Sequence, residues 1–395
     1  MQLKAAIYDP YLDTLGGGER YCLTVAEILL KNHYSVDLFW SGDPSLIKKA
    51  EKRFSLKLKG LNTEPDIFQI KPQRIDFIED NQTLIKVPKT PSSHEKFVKK
   101  FENLIKKYLI TKNYDVFFFL SDGSVPLIFS KNNLLHVQVP FNYDQEPEQH
   151  IFNTLKLKLF KNIICNSQFT QKFTQKLYGK HPSVVLYPPV DIEKFSPKKN
   201  KENIILSVGR FDNILNAKKQ DILIDAFKSL FPKIKSPKWK LVLAGGSLSD
   251  PENNAYLKLL QNKADNYPIE FYINPDFETL SSIYSASKIY WHAAGFGVDE
   301  NKEPQYTEHF GITIVEAMSS GLVPVVVKKG GLIEIVNDGK NGYLWDTKKQ
   351  LVNKTLKLIN NPKMLKLMFE TGLKDTKQYS KESFEKKFLS LINER

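Results

Sequence analysis

Short runs of β-branched and aromatic residues alternate along this chain with longer stretches whose apolar positions recur at helical spacing. The runs Lys4–Tyr8, Val36–Trp40, Val116–Leu120, Leu134–Val139, Ile163–Cys165 and Val184–Leu186 predict strands in the first half. Ile204–Val208, Trp239–Ala244, Glu270–Ile273, Ile289–His292 and Val323–Val327 predict strands in the second. Between them Tyr21–Leu30, Asp221–Leu230 and Val315–Ser319 read as amphipathic helices. Strands that are continuously apolar and separated by helices point to parallel sheets with helical crossovers, an α/β fold. The periodicity breaks at Tyr187-Pro-Pro-Val-Asp191 and the lysine-rich residues up to Glu202, which read as a linker. With 395 residues the chain exceeds one ordinary core, so two doubly wound, Rossmann-like domains are expected, 1–195 and 196–375, facing a central cleft.

Composition narrows the class. Cys22 and Cys165 lie far apart inside apolar runs, which argues against a disulfide framework and for a reducing compartment. Met1-Gln-Leu-Lys4 runs straight into a strand with no leader pattern, and no uncharged apolar run reaches the length of a membrane span. A cytoplasmic protein, at most peripheral on the inner face of a membrane, is expected. The net charge of +13 has three readings: a lysine-rich proteome, attraction to an anionic lipid or substrate, and, last, nucleic acid. Around Lys96-Phe97-Val-Lys99-Lys100-Phe101, a helix would carry Phe97, Phe101, Leu104, Ile105, Tyr108 and Leu109 on one face with lysines beside it. That face suits an anionic membrane surface. The preferred expectation is plainer: the apolar stripe packs on the sheet and the lysines face water.

Candidate chemistry gathers at strand ends. Gly16-Gly17-Gly18-Glu19-Arg20 follows the first strand, and a run without Cβ atoms lets backbone approach a ligand. A second-half strand ends at Gly209 with Arg210 just after it, and Lys218 precedes the next helix, so both sit at the mouth of the sheet and can meet a diphosphate. Glu308-His-Phe310-Gly311-Ile312-Thr313-Ile-Val-Glu316 places a glycine loop and helix start between two carboxylates. Helix-start N–H groups favour phosphate oxygens, and carboxylates accept from sugar hydroxyls. Thr313 and Glu316 also fit a capping box, in which Glu316 would close the helix. Neither the dinucleotide fingerprint nor a P-loop occurs, and no His or Cys spacing suits a metal. With no Asp-x-Asp triplet, a departing diphosphate would be neutralised by protein cations, so neither metal nor cofactor is expected.

Taken in order, the glycine loop, Cys165-Asn-Ser-Gln-Phe-Thr170, Tyr187-Pro-Pro-Val-Asp191, Val208-Gly-Arg210 with Lys218, and Trp291-His-Ala-Ala-Gly-Phe296 followed by Glu308 through Glu316 resemble the retaining family 4 glycosyltransferases of the GT-B fold. The resemblance covers nearly the whole chain. It implies that Arg210 and Lys218 bind the donor diphosphate and that Phe310, Gly311, Ile312 and Thr313 present N–H groups to phosphate and sugar. Glu308 would lie near the transferred sugar, Glu316 would hold the ribose, and Gly16 and Gly17 would approach from the other domain. Residues 376–395 would form a helix packing back on the first domain. The donor implied is a nucleotide sugar, GDP-mannose ahead of UDP-glucose or UDP-N-acetylglucosamine, and the acceptor a glycan or lipid-linked species. Many relatives carry histidine two residues before a proline; here Gln138 precedes Pro140, and it can donate a hydrogen bond but is no base. His136, on the same strand face, is the second candidate for sugar or acceptor contact. A nucleotide-sugar hydrolase or epimerase of the same fold is one alternative, revealed by free sugar or a new epimer. A non-catalytic basic module for membrane or nucleic acid is the other, revealed by salt-sensitive retention.

Overall fold

The computed structural model describes residues 2–69, 93–142, 147–179, 181–212, 217–235, 239–247 and 251–393. Two parallel sheets dominate it. The first holds β1 (Lys4–Tyr8), β2 (Ser35–Phe39), β3 (Leu61–Glu64), β4 (Val116–Ser121), β5 (Asn132–Val137), β6 (Asn162–Cys165) and β7 (Ser183–Val185), in the order β3-β2-β1-β4-β5-β6-β7. The second holds β8 (Ile204–Val208), β9 (Lys240–Gly245), β10 (Ile269–Ile273), β11 (Ile289–His292), β12 (Val323–Val327) and β13 (Tyr343–Trp345), in the order β10-β9-β8-β11-β12-β13. All eleven expected strands form, with ends moved by a residue or two. β3 and β13 are additional: Leu61-Asn-Thr-Glu64 is a mostly exposed edge strand with little apolar signal, and β13 is only three residues long. The strand order reverses between β1 and β4 and between β8 and β11, and loops leaving such switch points form the ligand crevice in folds of this kind.

The central strands are buried on both faces, as in Val116-Phe-Phe-Phe-Leu-Ser121. One side of the first sheet packs Tyr21, Leu29, Leu38 and Phe118 with Phe384, Phe388 and Ile392 of the final helix, Lys381–Asn393. That helix therefore belongs to the first domain's core although it follows the whole second domain. Phe384 meets Tyr21 edge-on at 4.9 Å, and Lys31 pairs with Glu385 at 2.8 Å. The two chain crossings run together: Val190 bridges to Ser380, and its N–H donates to the Tyr379 carbonyl at 2.8 Å.

The other side of the first sheet is filled by Tyr8, Phe39, Phe68, Phe117, Phe119 and their neighbours. This corrects one expectation. On the helix Ser93–Thr111, Phe101, Ile105, Tyr108 and Leu109 remain exposed, while among the described side chains Ile110 packs against the core and Thr111 is buried. Phe68 takes the space above the sheet, and Lys107 lies over its ring at 5.3 Å rather than in open water. The side chains of Lys96, Phe97, Lys99 and Lys100 lie outside the described residues. The helix Pro147–Leu157, which inserts Leu157 into the same core, likewise exposes Ile151, Phe152 and Leu155.

Candidate donor and acceptor site

Beyond β1 the backbone turns through Gly16–Gly18 into the helix Gly17–Lys31. Glu19 folds back to accept the Gly16 N–H at 2.5 Å, satisfying one orphan donor of the helix start. Each of the next two glycines has its own neighbour. A Cβ on Gly17 would touch Ile312 of the second domain at 3.4 Å, and one on Gly18 would strike the Gln138 amide at 2.2 Å. The loop is thus pressed on one side by the strand-end glutamine and on the other by the facing domain. Gln138 sits at this junction, its carbonyl accepting from Asn166 Nδ2 at 3.0 Å. His136 does not. Its ring is fully buried, stacked on Tyr21 at 4.1 Å with Nδ1 against the Ile164 carbonyl at 3.1 Å. Burial pushes its pKa down to about 3, so it is a neutral core histidine with no surface for sugar or acceptor.

In the second domain, Lys218 Nζ lies 2.7 Å from Glu308 Oε2, and His292 Nε2 lies 2.9 Å from the same oxygen. A Cβ on Gly209 would collide with the Lys218 stem at 2.5 Å, so the glycine just after β8 is what lets the lysine lie across the strand end. Burial alone would push the Glu308 carboxyl up; the charge of Lys218 and the His292 hydrogen bond outweigh it and hold the group well below the usual carboxylate range. Burial keeps His292 neutral, so it donates from Nε2. Arg210 is not in this cluster: its Nε pairs with Asp212 at 3.1 Å and its side chain is largely exposed. His292 closes β11 and was not singled out by sequence reasoning, though a polar residue ending a buried strand was visible there.

Gly311, at φ +111°, starts the helix Ile312–Ser319, and no side chain caps it. Thr313 lies inside the helix and donates no cap; its hydroxyl accepts from Tyr290 at 2.8 Å. Glu316 turns outward instead, accepting from Arg20 Nη1 at 3.2 Å and from the Tyr284 hydroxyl at 3.3 Å. The capping-box reading is therefore overturned. The Glu308–Phe310 backbone rests on Gly330 and Gly331, where any Cβ would lie 2.2 Å from the carbonyls of Glu308 and His309. The Gly331 N–H donates to the Glu308 carbonyl at 2.8 Å. The Phe310 ring is buried and stacks on Tyr187 at 5.5 Å, so only its backbone is left for a ligand.

The result is a cleft between the carboxyl ends of two sheets. One wall carries the glycine loop and Gln138. The other carries Lys218, Glu308, an uncapped helix start and Glu316. Such a wall can meet a diphosphate with a cation and N–H groups, and hydroxyls with two carboxylates. Among the described residues no three His, Cys, Asp or Glu side chains come together to hold a metal ion.

Comparison with known families gives matches along both halves. The profile of Glycosyltransferase Family 4 matches residues 15–194, and that of Glycosyl transferases group 1 matches residues 190–375. The chain belongs to the family 4 glycosyltransferases. Its fold is GT-B: Anabaena HepE, solved with UDP, superposes with a TM-score of 0.69 over 99% of both chains at 17% identity. A glycosyltransferase from Rickettsia africae gives 0.68 at 19% identity over 99% of this chain and 98% of that one. Among curated relatives, the alpha-1,3/1,6-mannosyltransferase of Schizosaccharomyces pombe is 30% identical over 48% of this chain and 41% of that protein. The GDP-Man:Man(3)GlcNAc(2)-PP-Dol alpha-1,2-mannosyltransferase of Xenopus laevis is 28% identical over 47% and 38%. The chain thus spans about two fifths of these relatives' own length.

Proposed function

We propose that this family 4 chain transfers a hexose, mannose first, from a nucleotide diphosphate sugar to a glycan or lipid-linked acceptor with retention of configuration and without metal. The observation that carries the proposal is the Lys218–Glu308–His292 cluster beside the uncapped start of the Glu316 helix. On this reading the diphosphate draws Lys218 away from Glu308 and rests on the N–H groups near Ile312 and Thr313. Glu308, still ionised and held by His292, accepts from the sugar's hydroxyls, while Glu316 accepts from the ribose. The sugar's anomeric carbon loses its bond to phosphate and gains one to the acceptor oxygen on the same face. The acceptor proton passes to the departing phosphate oxygen. Catalysis is then positioning and stabilisation of the leaving charge. Arg210 reaches the diphosphate by leaving Asp212.

Mannose is favoured because the curated relatives cited above are mannosyltransferases, whereas HepE was solved with UDP. A thermal-shift panel of GDP, UDP, ADP and their sugars, followed by transfer assays with the stabilising donor, tests both points. Stabilisation by one base series with acceptor-dependent product supports the reading. A flat panel, or free sugar as the sole product, refutes it. For the acceptor side, the exposed Phe101, Ile105, Tyr108 and Leu109 together with Ile151, Phe152 and Leu155 form apolar helix faces on one side of the first sheet, interspersed with lysines. We read these as resting on an anionic lipid surface that carries the acceptor. Among the described residues no helix is long and apolar enough to cross a membrane.

A further inference from the structure

Arg20 belongs to the first domain yet its guanidinium ends in the second. Its backbone is fixed in the opening turn of the helix Gly17–Lys31, where its N–H donates to the Gly16 carbonyl at 3.1 Å. From there Nη1 reaches Glu316 Oε1 at 3.2 Å and Nη2 lies 4.0 Å from Asp191 Oδ2 on the linker. Both side chains of the Arg20–Glu316 pair are nearly enclosed. The groups facing Glu316 are Arg20, the Tyr284 hydroxyl on its second oxygen, and, farther off, the charge of Asp191 and the phenol of Tyr290. Arg20 is the cation among them.

We propose that Arg20 is a positioning residue for donor binding: it crosses the cleft to hold Glu316 as an oriented carboxylate, so that nucleotide recognition by the second domain depends on a side chain of the first. The inference rests on the donor-site reading above. The physical reason is that burial pushes the Glu316 carboxyl up and Asp191 adds to this, while Arg20 and the Tyr284 hydroxyl pull it down. Remove the guanidinium and the balance moves toward the neutral acid, which is a poorer acceptor for hydroxyls. Because Arg20 rides on the glycine-loop helix, separating the two domains would have the same effect as deleting it.

The test is donor affinity as a function of pH, read by calorimetry with GDP-mannose and with UDP-glucose, whose diphosphate esters stay fully ionised across the range. Between pH 6 and 8 the unaltered protein is expected to bind its preferred donor with constant affinity. Arg20→Ala should bind about tenfold more weakly or worse at pH 6 and recover partly toward pH 8. Arg20→Lys, which keeps the charge but loses the planar fork, should flatten the profile again with a smaller loss. It also serves if the alanine variant does not fold. In the Glu316→Gln background, Arg20→Ala should add neither a pH dependence nor a further loss. An Arg20→Ala protein that binds as tightly as the parent at every pH overturns the proposal, and so does a pH dependence that persists when Glu316 is glutamine. If the unaltered chain binds neither donor, the donor-site reading falls and this proposal with it. A failure confined to the Arg20 variants leaves that reading standing.

Discussion

Replacing Lys218 with alanine separates stability from catalysis at one position. The Lys218–Glu308 contact is 2.7 Å long, with the two side chains 16% and 15% exposed. At an effective dielectric near 20, opposite charges that close attract by about 6 kcal/mol, most of which offsets the desolvation of both groups. Removing one partner leaves the other buried, which costs roughly 3–5 kcal/mol; His292 still holds Glu308, so the low end applies, about 3 kcal/mol. For a domain of this size that lowers Tm by roughly 6–12 °C. The pH dependence gives the cause away. Glu308 has a depressed folded pKa, so its contribution is present above the unfolded value of about 4.3 and is lost as pH falls below it. In the variant, burial is opposed only by His292, the carboxyl moves up, and acid no longer removes that contribution. The Tm gap between parent and variant should therefore narrow as pH drops from 7 to 4. In transfer assays well below the variant's Tm, kcat should fall about 100- to 1,000-fold, because on the proposed reading the departing diphosphate would lose a preorganised cation. A variant with unchanged kcat/KM refutes the assignment of Lys218, and a Tm gap that widens in acid refutes the account of Glu308.

Three further outcomes are expected. His136→Phe should leave transfer unchanged but alter acid stability. A histidine whose folded pKa is about 3 makes the fold lose stability as pH drops below roughly 6.5, by at most about 1.4 kcal/mol per pH unit. Parent and variant melting curves should thus converge or cross between pH 6.5 and 4, and a large loss of transfer would show that the ring touches substrate after all. On the proposed reading Lys218, Arg210 and the helix start would meet the diphosphate charge, so EDTA should leave transfer unaffected; a strict requirement for added manganese contradicts this. Phe101→Glu with Ile105→Glu should abolish cosedimentation with vesicles containing anionic lipid while leaving turnover on a water-soluble acceptor intact, and undiminished vesicle binding sinks the lipid-surface reading.

The two sheets were legible because their strands are buried on both faces, and burial of that kind writes continuous apolar runs. β3 escaped because an edge strand needs no such run: Asn62, Thr63 and Glu64 are all exposed. The loop from Glu308 to Glu316 reads as a candidate site because its chemistry lies within nine residues. What that string leaves open is how each member is held. Thr313 and Glu316 have the spacing of a capping box, and the structure gives them to Tyr290 and Arg20 instead. The amphipathic stripe of the helix Ser93–Thr111 was legible as a stripe, but its destination depended on whether Phe68 already filled the space over the sheet.

The unreadable part of the site follows a rule. Its partners are separated by the fold's own long connections: Gly18 and Gln138 meet across most of the first domain, Glu308 rests on Gly330, and Arg20 reaches Glu316 from 296 residues away. Local spacing can report a residue's reach along one helix or strand, and none of these contacts is local. Charge composition is no better guide, since Arg20 is one of 57 basic residues. What does distinguish it is enclosure. A guanidinium taken out of water must find a carboxylate, and Arg20 finds Glu316 of the second domain at 3.2 Å, with Asp191 of the linker farther off at 4.0 Å. If the ligand binds between the sheets as proposed, some of its binding determinants are side chains such as Arg20 that recognise the opposite domain, and these emerge only once the sheets are apposed.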